Sequence, residues 1–256
     1  VRIVVIGGTG LIGAKVVGRL NRDGHDVVSA ARATGVNSYT AEGVEEALDG
    51  ADTIIDVSNS SYVDEAAARE FFYASTMNLL TYGAAAGVGH HVALSVVGTD
   101  RLAKAEGGYF EAKASQEALI RTSGRPFTIV HTTQFFEFIR DITGYSMRNG
   151  RVALADVLMQ PIAADDVADA MATTALSTPL DDMREFAGPD VFRLPELARE
   201  ELRWTQDERD VVADPLGIYF GAHLAPSDLL PGPEATLAPT RLHDWRLAAH
   251  GAGKRS

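Results

Sequence analysis

Hydrophobic and polar positions along this chain alternate between two periods, and the alternation predicts most of its elements. Arg2-Ile3-Val4-Val5-Ile6 is a nearly unbroken β-branched run, the pattern of a strand buried on both faces. After Gly7-Gly8-Thr9-Gly10 the period changes, and Leu11, Ile12, Val16, Val17 and Leu20 recur at helical spacing to about Asp23. Asp23-Gly24 reads as a turn and residues 26–32 as a second strand. A short helix over 42–48, a buried strand over 52–57 and a long helix over 64–86 stopped by Gly87 follow. Then come a strand over 91–97, a helix over 108–120, a strand over 127–131, another over 160–164, and a helix from Asp165, as its cap, to Leu176.

Repeated strand-helix-strand order of this kind predicts an α/β fold, a Rossmann-type doubly wound parallel sheet with helices on both faces. Beyond Pro179 the regularity fades. A helix is expected near 196–204, a proline- and glycine-punctuated stretch over 215–239, and a frayed tail after Trp245 in which Lys254 and Arg255 take no role. The expected division is a dinucleotide-binding domain over 1–150 and a smaller substrate-covering region over 151–256, partly interleaved with the sheet.

Charge and composition narrow the function. The 256 residues include 35 acidic and 23 basic ones, and the net charge of -12 disfavours nucleic acid or an anionic membrane as a partner. Cysteine is absent, which excludes disulfides, thiolate catalysis and zinc-thiolate sites. His90 and His91 are adjacent in a strand and point to opposite faces, so no metal site is expected from them. No apolar run is long enough to span a bilayer, and the apolar start is split by glycines, Lys15 and Arg19, so the protein is expected to be cytoplasmic. Its oligomeric state is left open, a homo-oligomer included.

The chemistry begins at the glycine turn. Gly7, Gly10 and Gly13 are spaced three apart, and Gly8, Gly10 and Gly13 satisfy the fingerprint in which small residues let backbone amides approach a pyrophosphate. Gly7, Thr9, Gly10, Leu11, Ile12 and Gly13 are therefore the expected cofactor-binding residues, with the helix N-terminus aimed at the phosphates. No acid lies between Val27 and Gly35 to hold a ribose 2′-hydroxyl, while Arg32 stands at the end of the second strand near Ser29 and Thr34. That pattern favours NADP over NAD. Ser58, Asn59 and Ser60 leave the next strand and suit either the cofactor's ribose and pyrophosphate or a helix cap.

Tyr109 and Lys113 are four apart on one helix face. A neighbouring ammonium favours an ionised phenol, lowering its pKa by about one to three units and fitting it for proton transfer near neutrality. Ser95, at the carboxyl end of a strand, would hold a substrate oxygen beside it. Gln134, Phe135 and Phe136 follow the 127–131 strand and are expected to line a substrate pocket, with Tyr145, Met147 and Met159 as further candidates. The stretch with Tyr219, Phe220 and His223 would either close over the substrate or serve only as surface covering.

Gly7-Gly8-Thr9-Gly10-Leu11-Ile12-Gly13, Ala93-Leu94-Ser95-Val96-Val97-Gly98, Tyr109-x-x-x-Lys113 and residues 160–168 together resemble the short-chain dehydrogenase/reductase superfamily, in its atypical NmrA-like NAD(P)H-binding branch. The resemblance implies a nicotinamide cofactor, a tyrosine that gives or takes the substrate proton, Lys113 on the nicotinamide ribose and Ser95 on the substrate carbonyl. One departure is that the position where many active relatives carry a relay asparagine falls near Phe72, with no asparagine there. Asn78, about a turn later, resembles the structural asparagine of that helix. The expected function is NADPH-dependent reduction of a carbonyl of a small organic substrate. The alternatives are a non-catalytic NADP(H)-sensing regulator, as some NmrA-like relatives are, and reduction of a C=C or C=N bond.

Overall fold

In the computed structural model the apolar run at the start becomes β1 (Arg2–Ile6), and the structure describes residues 1–253 apart from Val63, Glu106, Gly107, Pro215, Leu216 and Gly221. Helix α1 (Leu11–Arg22) leads to β2 (Asp26–Ala30), and α2 (Val44–Leu48) to β3 (Thr53–Asp56). The helix α3 (Glu65–Ala85) precedes β4 (His90–Val96), and α4 (Thr99–Lys104) with α5 (Gly108–Thr122) precedes β5 (Phe127–Thr132). The chain continues through α6 (Ile139–Tyr145), β6 (Met147–Arg148), β7 (Arg151–Ala155), β8 (Leu158–Met159) and α7 (Ala164–Ala175). It ends with β9 (Asp182–Ala187), β10 (Phe192–Arg193), α8 (Leu194–Trp204), β11 (Val211–Asp214), β12 (Ile218–Tyr219), β13 (Ala222–His223), β14 (Thr236–Leu237) and α9 (Leu242–Gly253).

Seven strands form one parallel sheet in the order β14-β9-β5-β4-β3-β1-β2, and the direction of winding reverses between β1 and β3. Such a reversal opens a crevice at the carboxyl ends of the strands, where ligands of doubly wound sheets bind. Strand alternation sorts the core. Ile3 and Val5 pack with Val16, Leu20, Val167 and Met171 on one face, while Val4 and Ile6 pack with Val44, Leu48 and Leu79 on the other. The Rossmann-type α/β fold is thus built from the hydrophobic periods described above.

The second half corrects several local expectations. Residues 160–164 are no strand: Ile162 makes a single bridge to Phe135, and Pro161 has no N–H to extend a ladder. Asp165 is not the cap of α7, whose N-cap position is Ala163. It pairs with Lys15 at 2.7 Å and Arg19 at 3.0 Å on α1, tying the two helices of that face together. The supposed loose tail is helical through Gly253; Lys254 and Arg255 lie outside the described residues. Strands β9 and β14 return to the main sheet, while β11-β7-β6 and the β12–β13 hairpin form small sheets beside it. Among the described residues no helix is long and apolar enough to cross a membrane.

Candidate active site

A cleft of about 1120 Å³ opens at the carboxyl ends of β1 to β5. At one end is the glycine turn. Gly7 takes φ +80°, and a Cβ there would stand 3.0 Å from the Ser58 amide nitrogen, while one on Gly8 would stand 2.5 Å from Ser29 Oγ. A Cβ on Gly13 would overlap the Gly7 carbonyl oxygen. These backbones meet too closely for any side chain, as a turn that lets amides face a ligand requires. The N-cap of α1 is Gly10, without a side-chain cap and without an acid in the first turn, so the positive end of the helix faces the cleft unblocked.

Gly7, Thr9, Gly10, Leu11, Ile12, Ser58 and Asn59 line this cleft, and Gly13 packs behind it. Arg32 also lines it, in a 3-10 turn (Arg32–Thr34) that follows β2, and forms no ion pair among the described residues. The capping alternative for the 58–60 segment is overturned, because Asp64 caps α3 by accepting from the Ala67 amide at 3.0 Å. Ser58 instead donates to Asp56 Oδ1 at 2.6 Å.

Tyr109 and Lys113 stand on α5 where it crosses the cleft, but their relation differs from the expected one. The Lys113 ammonium donates to the Leu94 carbonyl at 2.8 Å and to Gln116 Oε1 at 2.5 Å, and lies 4.6 Å over the Phe72 ring. Phe72 thus supplies an aromatic face to the cation. Burial brings the lysine down to about 8, against the favourable charges of Asp56 and Glu117. The Tyr109 hydroxyl donates to Asn59 Oδ1 at 2.8 Å, and Asn59 Nδ2 donates to the Tyr62 hydroxyl at 2.8 Å. Burial, with Tyr62 beside it, holds Tyr109 well above the ordinary tyrosine value. The expectation of a phenol acidified by Lys113 is therefore corrected: burial and the neighbouring Tyr62 raise it, and the lysine is turned to Leu94 and Gln116 instead.

Ser95 lines the cleft, yet its hydroxyl donates to Glu117 Oε1 at 2.5 Å and touches Thr99 Oγ1 at 3.2 Å. His131 Nε2 lies 2.9 Å from the same carboxylate oxygen. Burial opposes ionisation of Glu117, but His131, Ser95 and Lys113 together bring it down to about 2. Two groups that sequence reasoning passed over complete the lysine's seat: Gln116 Nε2 donates to Asp56 Oδ2 at 3.0 Å, and both side chains are buried. An acid closing an apolar strand, and a glutamine three residues after the lysine, were the signals available.

Gln134 and Phe135 line the cleft, joined by Tyr62, Phe138, Tyr219 and Phe220. Phe136 does not. It is buried against Trp245 at 5.6 Å, because the 3-10 turn Phe136–Phe138 rotates it into the core. Met159 is likewise core, and Tyr145, Met147 and His223 lie outside the lining, so these pocket assignments are corrected. Among the described residues no cluster of three or more metal-ligating side chains occurs.

A parallel sheet wound from a glycine turn, with an open helix N-terminus over the crevice, defines a dinucleotide-binding protein. The chain belongs to the NAD(P)H-binding family, whose model matches residues 7–178. A short-chain dehydrogenase/reductase superfamily protein from Agrobacterium tumefaciens with bound NAD has the same fold, with a TM-score of 0.73 and 16% identity over 100% of this chain and 98% of that one. MoeE5 in complex with UDP-glucose and NAD superposes with a TM-score of 0.73 and 16% identity, covering 100% of this chain and 99% of its own. The Thermus thermophilus UDP-glucose 4-epimerase complexed with NAD gives 0.66 and 16% identity, over 90% and 92% of the two chains. No curated protein sequence matches the chain.

Proposed function

We propose that this protein is an NADPH-dependent oxidoreductase that reduces a carbonyl group of a small organic substrate, with Tyr109 as the proton donor. The observation that carries the reading is the shared cleft, lined both by the glycine turn and by Tyr109 and Lys113. The glycine backbones and the uncapped α1 N-terminus fit a pyrophosphate. Arg32 without an acidic partner, and a lining without any Asp or Glu, support the 2′-phosphorylated cofactor.

A reduced nicotinamide, when bound, supplies hydride to the carbonyl carbon. Tyr109 passes its hydroxyl proton to the carbonyl oxygen and is reprotonated from solvent. Burial keeps this phenol protonated, the form that can donate to a carbonyl oxygen. Lys113, seated by Gln116 and through it by Asp56, holds positive charge one helical turn from Tyr109 on α5.

Tyr109→Phe should lower kcat by about a hundredfold or more while leaving NADPH affinity nearly unchanged. Full turnover in that variant would remove Tyr109 from the mechanism. One observation favours the sensor reading: Tyr109 and Lys113 are already satisfied by Asn59, Leu94 and Gln116. Under that reading NADPH binds tightly and no member of a broad carbonyl panel is reduced.

A further inference from the structure

Beyond Tyr109 the cleft is walled with rings drawn from distant segments. Tyr62 follows β3, Phe138 follows β5, and Phe220 comes from the β12–β13 hairpin. The Tyr62 ring lies 4.9 Å from Phe138 and 5.6 Å from Phe220, and the two phenylalanines stack at 5.7 Å and 22°. Tyr62 also lies 4.6 Å from the Tyr109 ring. All three rings are half-buried and line the cleft, so apolar surface faces a space that can accept a ligand.

The charge that reaches the rings from outside the lining is negative, that of Asp141 acting on Tyr62. Among the lining residues there is no carboxylate, and the cations are Arg32 and Lys113. Arg32 stands with the glycine turn, while Lys113 is committed to Leu94 and Gln116. A phosphate or carboxylate placed among the rings would be desolvated without a counter-ion. Unused polar capacity is present, however. Gln134 Oε1 and Thr133 Oγ1 are buried, belong to residues lining the same cleft, and have no hydrogen-bond partner among the described residues, the Gln134 side chain being otherwise bonded to Tyr219. An orphaned buried amide oxygen is costly, and a ligand hydroxyl would satisfy it.

We infer that the substrate is an uncharged aromatic carbonyl compound bearing a hydroxyl group, its ring held among Tyr62, Phe138 and Phe220 and its hydroxyl donating to Gln134 Oε1. This rests on the reductase reading for the placement of the carbonyl beside Tyr109. It separates the chain from the proteins of like fold that hold UDP-glucose, since a diphosphate meets no uncommitted cation at the rings.

The test is to saturate the whole chain with NADP⁺ and titrate hydroxynaphthaldehyde, naphthaldehyde, carboxynaphthaldehyde and UDP-glucose by calorimetry, with NADPH oxidation followed separately. The hydroxylated aldehyde should bind about tenfold more tightly than the plain one, and the carboxylated aldehyde and UDP-glucose should not bind measurably. Gln134→Leu should erase the hydroxyl preference. Phe138→Ala should weaken both neutral aldehydes by about tenfold, with Phe138→Leu intermediate and circular dichroism confirming that each variant folds. Binding of the carboxylated aldehyde or UDP-glucose as tight as that of the hydroxylated compound overturns the inference. Selective binding without any NADPH oxidation supports the ring site and overturns the reductase reading instead; preferred reduction of charged carbonyl compounds does the reverse.

Discussion

The two ends of the cleft are made in different ways. At the glycine end one contiguous stretch, from β1 through the first turn of α1, supplies the turn itself, and what it presents is mainly backbone, with Arg32 and Ser58 lining the cleft from the ends of β2 and β3. At the ring end three segments far apart in sequence each contribute one side chain, and Phe220 takes its place with φ +48°, a conformation that bulky residues rarely adopt. Backbone recognition of a phosphate cannot change without rebuilding the turn, whereas rings on loops can change with the sheet untouched. A chain can therefore share the fold of MoeE5 at 16% identity while, under the proposal made above, its ring end takes a different ligand.

The sharpest way to break the comparison is at Gly13. A Cβ there overlaps the Gly7 carbonyl oxygen, which belongs to the backbone and cannot rotate aside. Gly13→Val should abolish NADPH binding by calorimetry and lower stability by about 3 kcal/mol in denaturant unfolding. Binding and stability both retained would show that the turn is looser than its packing implies. Arg32→Ser touches the same end more gently. It should reduce the preference for NADPH over NADH by about tenfold, the weight of one charge-assisted contact near 1.4 kcal/mol. An unchanged ratio would place the 2′-phosphate elsewhere.

Legibility in the sequence follows the same division. The sheet through β5, the cofactor turn and the Tyr109–Lys113 pair were readable because each is local: a buried run, a glycine triplet, an i,i+4 spacing. Strand β9 was not readable, since Asp182-Met183-Arg184-Glu185 is mostly exposed and polar and pairs with β5 along its edge. The environment of a readable residue was also hidden. Nothing in the spacing tells that Tyr109 is buried against Tyr62 and Asn59, or that Phe72 lies under the lysine. Phe136 shows the limit most plainly: two neighbours of like pattern, Gln134 and Phe135, line the cleft, and a single 3-10 turn sends the next residue into the core.

Lys113 stands where the two ends meet, and its titration has the smallest effect but two opposite signatures. Its proton is lost as pH rises through about 8, well below the ordinary lysine value of 10.5, because burial disfavours the ammonium. The unfolded chain therefore binds more protons than the folded one above pH 8, and this group's contribution to stability rises with pH until the ordinary lysine value of 10.5 is passed. Activity should move the other way: kcat/KM for reduction falls a few-fold above about pH 8, as the charge one helical turn from Tyr109 disappears. Lys113→Arg retains a charge at every accessible pH and should remove both trends, read from pH–rate profiles and unfolding midpoints. If the alkaline fall in rate persists in Lys113→Arg, a different group controls it and the lysine's place in the mechanism is structural.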